Sequence, residues 1–412
     1  MGQKTNIALE CRAPVTTRSR SAGQRGLLTF LLGMTALGLT ARASAAAYTI
    51  LDLGTLGGTY IASNGFGTIN ASGQVVGYSY VSPPQIHAFR TAPNGPITAA
   101  SDLGVLASGT ESTAVGINDS GQAVGGSSTT ADPDGPSHAF RTTSNGVITA
   151  ASDLGTLGGT FSLARAVNAS GQAVGNSLNA GGIPRAFRTA ANGPITLASD
   201  LGGLGGTRSF AYGVNDLGQA VGSSFIAGNA AQHAFRTAAN GPINAASDIG
   251  TLGGKFGRAH GINASGTTIG TSTLPGEALQ HAFRTAANGP ITAGSDLGTL
   301  GGTFSAAFGL NSSGQAVGAS FTTGDLANHA FLSDLVGSMK DLNDLIPSGS
   351  GWELQEAHGI NDGGQIAGFG LVGSETHAFL LTPIPEPGSL APLGIGCFGL
   401  LSRKVRSRRC SS

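Results

Sequence analysis

Residues 259–263 read AHGIN, then ASG, and residues 267–272 read TTIGTS; after a loop, residues 281–285 read HAFRT, then AANGP, and residues 291–298 read ITAGSDLG. These are four short segments of alternating or β-favouring character, separated by Gly, Asn and Pro turn signals. The Asn263-x-x-Gly266 motif suits a tight turn. An Asn side chain bonds backbone two residues on, and Gly takes positive φ without a Cβ clash. The pair Asn288-Gly289 marks a second hairpin ahead of the fourth segment. Outside the two chain ends, no window carries a helical apolar period.

The same block recurs along the chain. His-Ala-Phe or a close variant starts at His87, His138, Arg185, His233, His281, His329 and His377, at spacings of 51, 47, 48, 48, 48 and 48. The Asn-x-x-Gly motif keeps step at Asn70, Asn118, Asn168, Asn215, Asn263, Asn311 and Asn361. A third marker, Asp-Leu-Gly or Asp-Ile-Gly, recurs at Asp52, Asp102, Asp153, Asp200, Asp248 and Asp296, with an altered copy at Asp341-Leu342-Asn343. Four strands in about 48 residues is the size of a β-propeller blade. A β-solenoid coil is ordinarily shorter and does not need two tight hairpins per unit. The sequence therefore predicts an all-β fold, a seven-bladed β-propeller of four-stranded blades. YTILDLG at residues 48–54 matches a fourth strand, and HAFLLT at residues 377–382 is a third strand with no fourth after it. The N-terminal strand is expected to pair with the last blade and close the ring, removing an exposed sheet edge.

Composition sets outer bounds. Hydrophobic residues are 40% of the chain, enough for a globular core, while charged residues are only 11%. The 68 Gly and 17 Pro are accounted for by turns. The formal net charge of zero hides an asymmetry. Of the 22 basic residues, 11 lie before Ala46 or after Ile384, leaving 11 in the repeat region against 20 of the 22 acidic ones. Nucleic-acid binding needs clustered Lys and Arg, so nucleic acid is not an expected partner. Cys11, Cys397 and Cys410 all lie in the end segments, so neither disulfides nor thiolate metal sites hold the repeats together.

Both ends carry address-like patterns. Lys4, Arg12, Arg18, Arg20 and Arg25 precede the apolar run Leu27–Leu39, and Ala43-Ser44-Ala45 follows as a small-x-small site. Residues 1–45 thus resemble a secretory signal peptide, cleaved between Ala45 and Ala46 by signal peptidase. At the other end, Pro385-Glu386-Pro387 is followed by apolar Leu390–Leu401 and then by Arg403, Lys404, Arg406, Arg408 and Arg409. Residues 385–412 resemble the PEP-CTERM sorting signal, with Pro392 inside the apolar segment as a departure. The resemblance implies recognition by an exosortase, a transient inner-membrane anchor, and a Gram-negative host that makes exopolysaccharide. The basic tail fits the positive-inside rule. The intervening residues 46–384 carry seven copies of the tripeptide at residues 87–89 and resemble the HAF repeat family of extracellular bacterial proteins. That resemblance implies architecture and a cell-surface or extracellular-matrix location, not a mechanism.

Candidate chemistry is sparse. A His opens the third strand at His87, His138, His233, His281, His329 and His377. A metal needs its ligands about 2 Å from one centre, whereas equivalent positions of separate blades are a blade apart. These histidines are expected to be structural, as are the seven repeated asparagines. One Asp and one His or Arg per blade (Arg90, Arg141, Arg188, Arg236 and Arg284 follow the Phe) suit a local polar staple, by analogy with WD-repeat propellers. A catalytic site must break the repeat symmetry. Asp132-Pro133-Asp134-Gly135 lacks the further ligands of a calcium loop and reads as an acidic turn. His260, near Arg258, and His358, near Glu356, each occur alone. Glu111, Glu353 and Glu356 are scattered, with no motif supporting a glycosidase pair. Trp352, the only tryptophan, is expected to pack at the ring closure.

The expectation is an exported, non-enzymatic, monomeric scaffold with no cofactor, metal or catalytic residue. Its partner, an exopolysaccharide or a surface protein, would be met by the hairpins between second and third strands: residues 79–86, 127–137, 177–184, 223–232, 271–280, 319–328 and 370–376. The alternative is a secreted polysaccharide hydrolase or lyase with its site at the channel mouth.

Overall fold

The computed structural model describes residues 47–58, 68–82, 85–132, 135–335 and 338–385. Ala45, Ala46, Glu386, Pro387, the three cysteines and most of both address segments lie outside the described residues. The chain is all-β, and its described non-strand segments are turns, loops and short 3-10 turns. No helix among the described residues is long and apolar enough to cross a membrane.

In the fifth repeat, Gly257–Ile262 pairs antiparallel with Thr268–Thr273, which pairs antiparallel with Gln280–Arg284. The second, third, fourth, sixth and seventh repeats follow the same plan, and in the first repeat Val76–Ser82 pairs with Gln85–Arg90. The Asn-x-x-Gly turn joins the first two strands, with Gly266 N–H donating to Asn263 O at 3.0 Å and Gly266 at φ +81°. The first hairpin of the second to seventh repeats is therefore as the sequence implies.

The fourth strand departs from expectation. Residues 291–298 do not form a continuous strand. Thr292 and Ser295 cap a 3-10 turn, Ala293–Ser295, and only Asp296 bridges back to Phe283. Most repeats have the same single bridge, while Asp248–Gly250 and Met339–Asp341 are three-residue strands. The local cap wins over the β-branched residues Ile291 and Thr292, because it satisfies backbone that a strand would have to pair. Asn288-Gly289 is likewise not a two-residue hairpin tip. Asn288 adopts φ +54°, and its N–H donates to Gly266 O at 3.1 Å, docking this loop on the first turn.

The N-terminal strand Tyr48–Asp52 pairs antiparallel with Glu375–Pro383, Tyr48 facing Pro383 and Asp52 facing Phe379. The apolar interior runs between neighbouring repeats. The Phe of each His-Ala-Phe copy is at most 2% exposed. One core cluster joins Val76, Ala88 and Leu103 of the first repeat to Ala114, Ile117 and Phe140 of the second. Another joins Leu53, Ile69 and Phe89 of the first to Ala367, Ala378 and Leu380 of the last. Full burial of one such Phe stabilises by about 1.5–3 kcal/mol. Buried serines add directional links. Ser162 Oγ accepts from Ala139 N–H at 2.7 Å and donates to Gly155 O at 2.6 Å, tying one repeat's first strand to the previous repeat.

Candidate functional site

The repeated polar residues fall into two systems. In the first, His87 Nδ1 lies 2.9 Å from Asp102, His138 2.9 Å from Asp153, His233 2.8 Å from Asp248 and His281 2.9 Å from Asp296. Arg185 takes the same place against Asp200 at 3.2 Å. The altered copy still supplies Asp341 to His329 at 2.6 Å, and Asp52 of the N-terminal strand meets His377 at 2.7 Å. Each Asp also accepts a backbone N–H two residues on, as Gly104 does to Asp102 at 2.7 Å. Each pair is partly exposed, so its electrostatic worth is small, roughly 0–1 kcal/mol.

The arginines that follow the Phe do not join these pairs. Arg90 donates to Gly121 O and Gly146 O of the next repeat. Arg141, Arg188 and Arg284 reach across in the same way, and Arg236 reaches Asn288 O and Gly289 O. A guanidinium stem is long enough to cross between repeats, whereas the shorter imidazole already occupies the Asp.

The second system is formed by the repeated asparagines. Asn70 Oδ1 accepts from Gln74 N–H at 2.9 Å, and its Nδ2 donates to Asn118 O at 3.2 Å. Asn118 bonds Asn168 O, Asn168 bonds Asn215 O, and Asn215 bonds Asn263 O. Asn263 bonds Asn311 O, Asn311 bonds Asn361 O, and Asn361 returns to Asn70 O at 3.1 Å. The circuit ends where it begins.

Inside this circuit lies a cavity of about 270 Å³ lined by residues of all seven repeats. Its lining is layered by position along the first strands. Nearest the asparagines is an apolar layer of Ile69, Ile117, Val167, Val214, Ile262, Leu310 and Ile360. The adjoining mouth, about 320 Å³, carries Asp119, Asp216 and Asp362. Two residues deeper, strand pairing slips by one residue in each of six repeats: between Ala114 and Gly116, Ala164 and Ala166, Ala211 and Gly213, Ala259 and Gly261, Ala307 and Gly309, and Ala357 and Gly359. The skipped residues are Val115, Arg165, Tyr212, His260, Phe308 and His358. A bulge re-aims a side chain, and here all six line the cavity. Small residues follow them because neighbouring strands come close. A Cβ on Gly309 would lie 2.9 Å from His358 O and from Gly359 Cα.

The bulge layer is where the repeats differ. His260 and His358 are therefore not isolated, contrary to the sequence expectation. His260 contacts Tyr212 edge-on, with ring centroids 5.7 Å apart, and lies 5.3 Å from Phe308. Phe308 stacks on His358 at 4.9 Å, and His358 on Phe369 at 5.6 Å. Arg165 sits 4.9 Å from the Tyr212 ring centre and Arg258 5.2 Å from it. His260 Nδ1 donates to Ala307 O at 2.9 Å, leaving Nε2 as the lone-pair nitrogen. Burial, then Arg258 and, more weakly, Arg165 and His358 push the His260 pKa down to about 3, against the opposing pull of that hydrogen bond. Burial and then Arg258 also lower Arg165, with Tyr212 opposing them. Repetition in the sequence drew attention away from this position. The signal available was the residue three before each repeated Asn, which varies in charge and size from repeat to repeat.

The remaining candidates are ordinary. Gly135 N–H donates to Asp132 O at 2.9 Å, a turn, while Pro133 and Asp134 lie outside the described residues. No cluster of three or more His, Cys, Asp or Glu able to hold a metal occurs among the described residues. Glu111 and Glu353 are exposed; of the three scattered glutamates only Glu356 reaches the cavity wall, in a side extension of about 230 Å³ with Arg258 and Gln280. Trp352 packs edge-on against His377 and Phe379, beside the cluster that holds Tyr48 and Leu381. Pro385 is exposed at the end of the described chain.

No known protein-family profile matches the sequence, and no curated protein matches it. Among solved structures, the chain is similar to a putative TolB from Agrobacterium tumefaciens, at 13% identity over 60% of this chain and 84% of that one, with a TM-score of 0.34. It is also similar to the BP39L lectin from Burkholderia pseudomallei, at 10% identity over 82% of this chain and 98% of that one, with a TM-score of 0.36.

Proposed function

We propose that this chain is an exported, non-enzymatic β-propeller of seven blades that displays a binding surface for an exopolysaccharide or a surface protein. Closure of the ring is supported by the asparagine circuit and by Tyr48–Asp52 lying against Glu375–Pro383. Export and surface retention are supported by the two address segments of the sequence. The observation that carries the binding role is the hairpins between second and third strands. They differ from repeat to repeat on a repeating framework, and they hold exposed apolar side chains: Leu326 is 88% exposed, Leu279 39% and Ile183 38%. Exposed apolar groups on a rigid framework suit recognition.

The test is a glycan array and a pull-down of surface proteins with the full chain. A partner should be captured, and combined replacement of Ile183, Leu279 and Leu326 by Ser should weaken it at least tenfold. Equal capture by the variant would sink the hairpin assignment. A second reading, a polysaccharide lyase, is favoured by one observation: Arg165, Tyr212 and His260 share a cavity. Shortening of a uronate polymer by the full chain would support it. The hydrolase reading needs a carboxylate pair; the acids at the mouth, Asp119, Asp216 and Asp362, stand one to a repeat and each accepts a backbone N–H of the preceding repeat's turn.

A further inference from the structure

Around the bulge layer two arginines lie close together, Arg165 in the layer and Arg258 beside it. Arg165 and Arg258 flank the same Tyr212 ring. Arg258 also lies 5.2 Å from the Phe256 ring centre. Its Nε is buried without a hydrogen-bond partner, and it enters no ion pair among the described residues. A buried guanidinium N–H left unpaired is costly. Phe308 packs against both His260 and His358. Three aspartates stand apart from this layer, whereas Glu356 shares the side extension with Arg258. Asp119, Asp216 and Asp362 lie beyond the apolar layer, at the other mouth. Glu356 is engaged by His358 Nε2 at 3.1 Å and by Asn328 Nδ2 at 3.2 Å.

We infer that a carboxylate binds where the central cavity meets its side extension, held by Arg165 on the cavity wall and Arg258 on the extension wall, beside Tyr212 and Phe308. A carboxylate supplies the acceptor that Arg258 Nε lacks, relieves the repulsion between the two guanidiniums, and matches the planar fork of a guanidinium. The opening of about 270 Å³ admits a small acid or a single sugar-acid ring. The inference goes beyond recognition at the hairpins and stands whether or not they bind a partner.

The test is calorimetric titration of the full chain with acetate, glucuronate and inorganic phosphate. At least one carboxylate should bind saturably and raise the melting temperature of the wild type. Arg258→Gln and Arg165→Gln should each weaken it tenfold or more, while Arg208→Gln, at an exposed site, should change it less than twofold. Binding of both acids would indicate a site for any small carboxylate; glucuronate alone would indicate sugar acids. Tighter binding of phosphate than of either acid would overturn the assignment. So would the absence of saturable binding at millimolar concentrations, or unchanged affinity in both arginine variants. If the arginine variants do not fold, the wild-type titration and the melting shift decide.

Discussion

His260 concentrates the chemistry of this chain in one side chain. Its ring donates to Ala307 O and faces two arginines. Its pKa in the fold, about 3, is below its unfolded value near 6.5. The unfolded chain therefore takes up the proton first, so the neutral ring's contribution is intact above pH 6.5 and is lost as pH falls towards 3. Thermal melts across this range should show the wild type losing stability with a steeper slope than His260→Gln, by about 1–3 kcal/mol in total once water in the cavity softens the effect. Equal slopes would refute the assignment. At this scale the sequence was legible only where it repeats. The Phe of each His-Ala-Phe copy announces its buried role by recurring, but Arg165, Tyr212, His260 and Phe308 occupy one position while sharing no chemistry. A pattern built on likeness passes over them.

Among the elements, the first strand of each repeat does the positioning. Its bulge turns one side chain to the cavity, and the small residue after it lets the neighbouring strand approach. Gly309→Ala should therefore cost about 1–3 kcal/mol, because the new methyl would meet His358 O and Gly359 Cα. Gly181→Ala, whose Cβ would meet only Asn179 Oδ1 at 3.4 Å, should cost far less. Urea unfolding of both variants checks the contrast. The first three strands were legible from alternation and from Asn-x-x-Gly. The fourth was not, since Ile291 and Thr292 look like strand residues until Ser295 caps the turn beneath them. The bulge was hidden for another reason: it changes pairing without changing the spacing of the markers.

Across the whole molecule, the terminal strand carries weight beyond its five residues. It supplies Asp52 to His377, and Leu53 behind it is fully buried beside Ala378 and Leu380. Deleting residues 46–54 should uncover the edge of Glu375–Pro383 and promote aggregation, measured by light scattering. A monodisperse, equally stable deletion variant would refute this. Cysteines placed at Thr49 and Thr382, which face each other, should cross-link in the intact chain. The pairing of residues 48–54 with 377–382 was readable because YTILDLG carries the third marker, which in the other repeats follows a His-Ala-Phe strand. The contact also orders events in time. Asp52 and His377 are 325 positions apart, and the entropy of closing so long a loop, though it grows only logarithmically, must be met before the contact repays it. A growing chain thus makes this strand early and seats it last. Until residue 383 has emerged, the first repeat waits for the neighbour against which Leu53 will be buried.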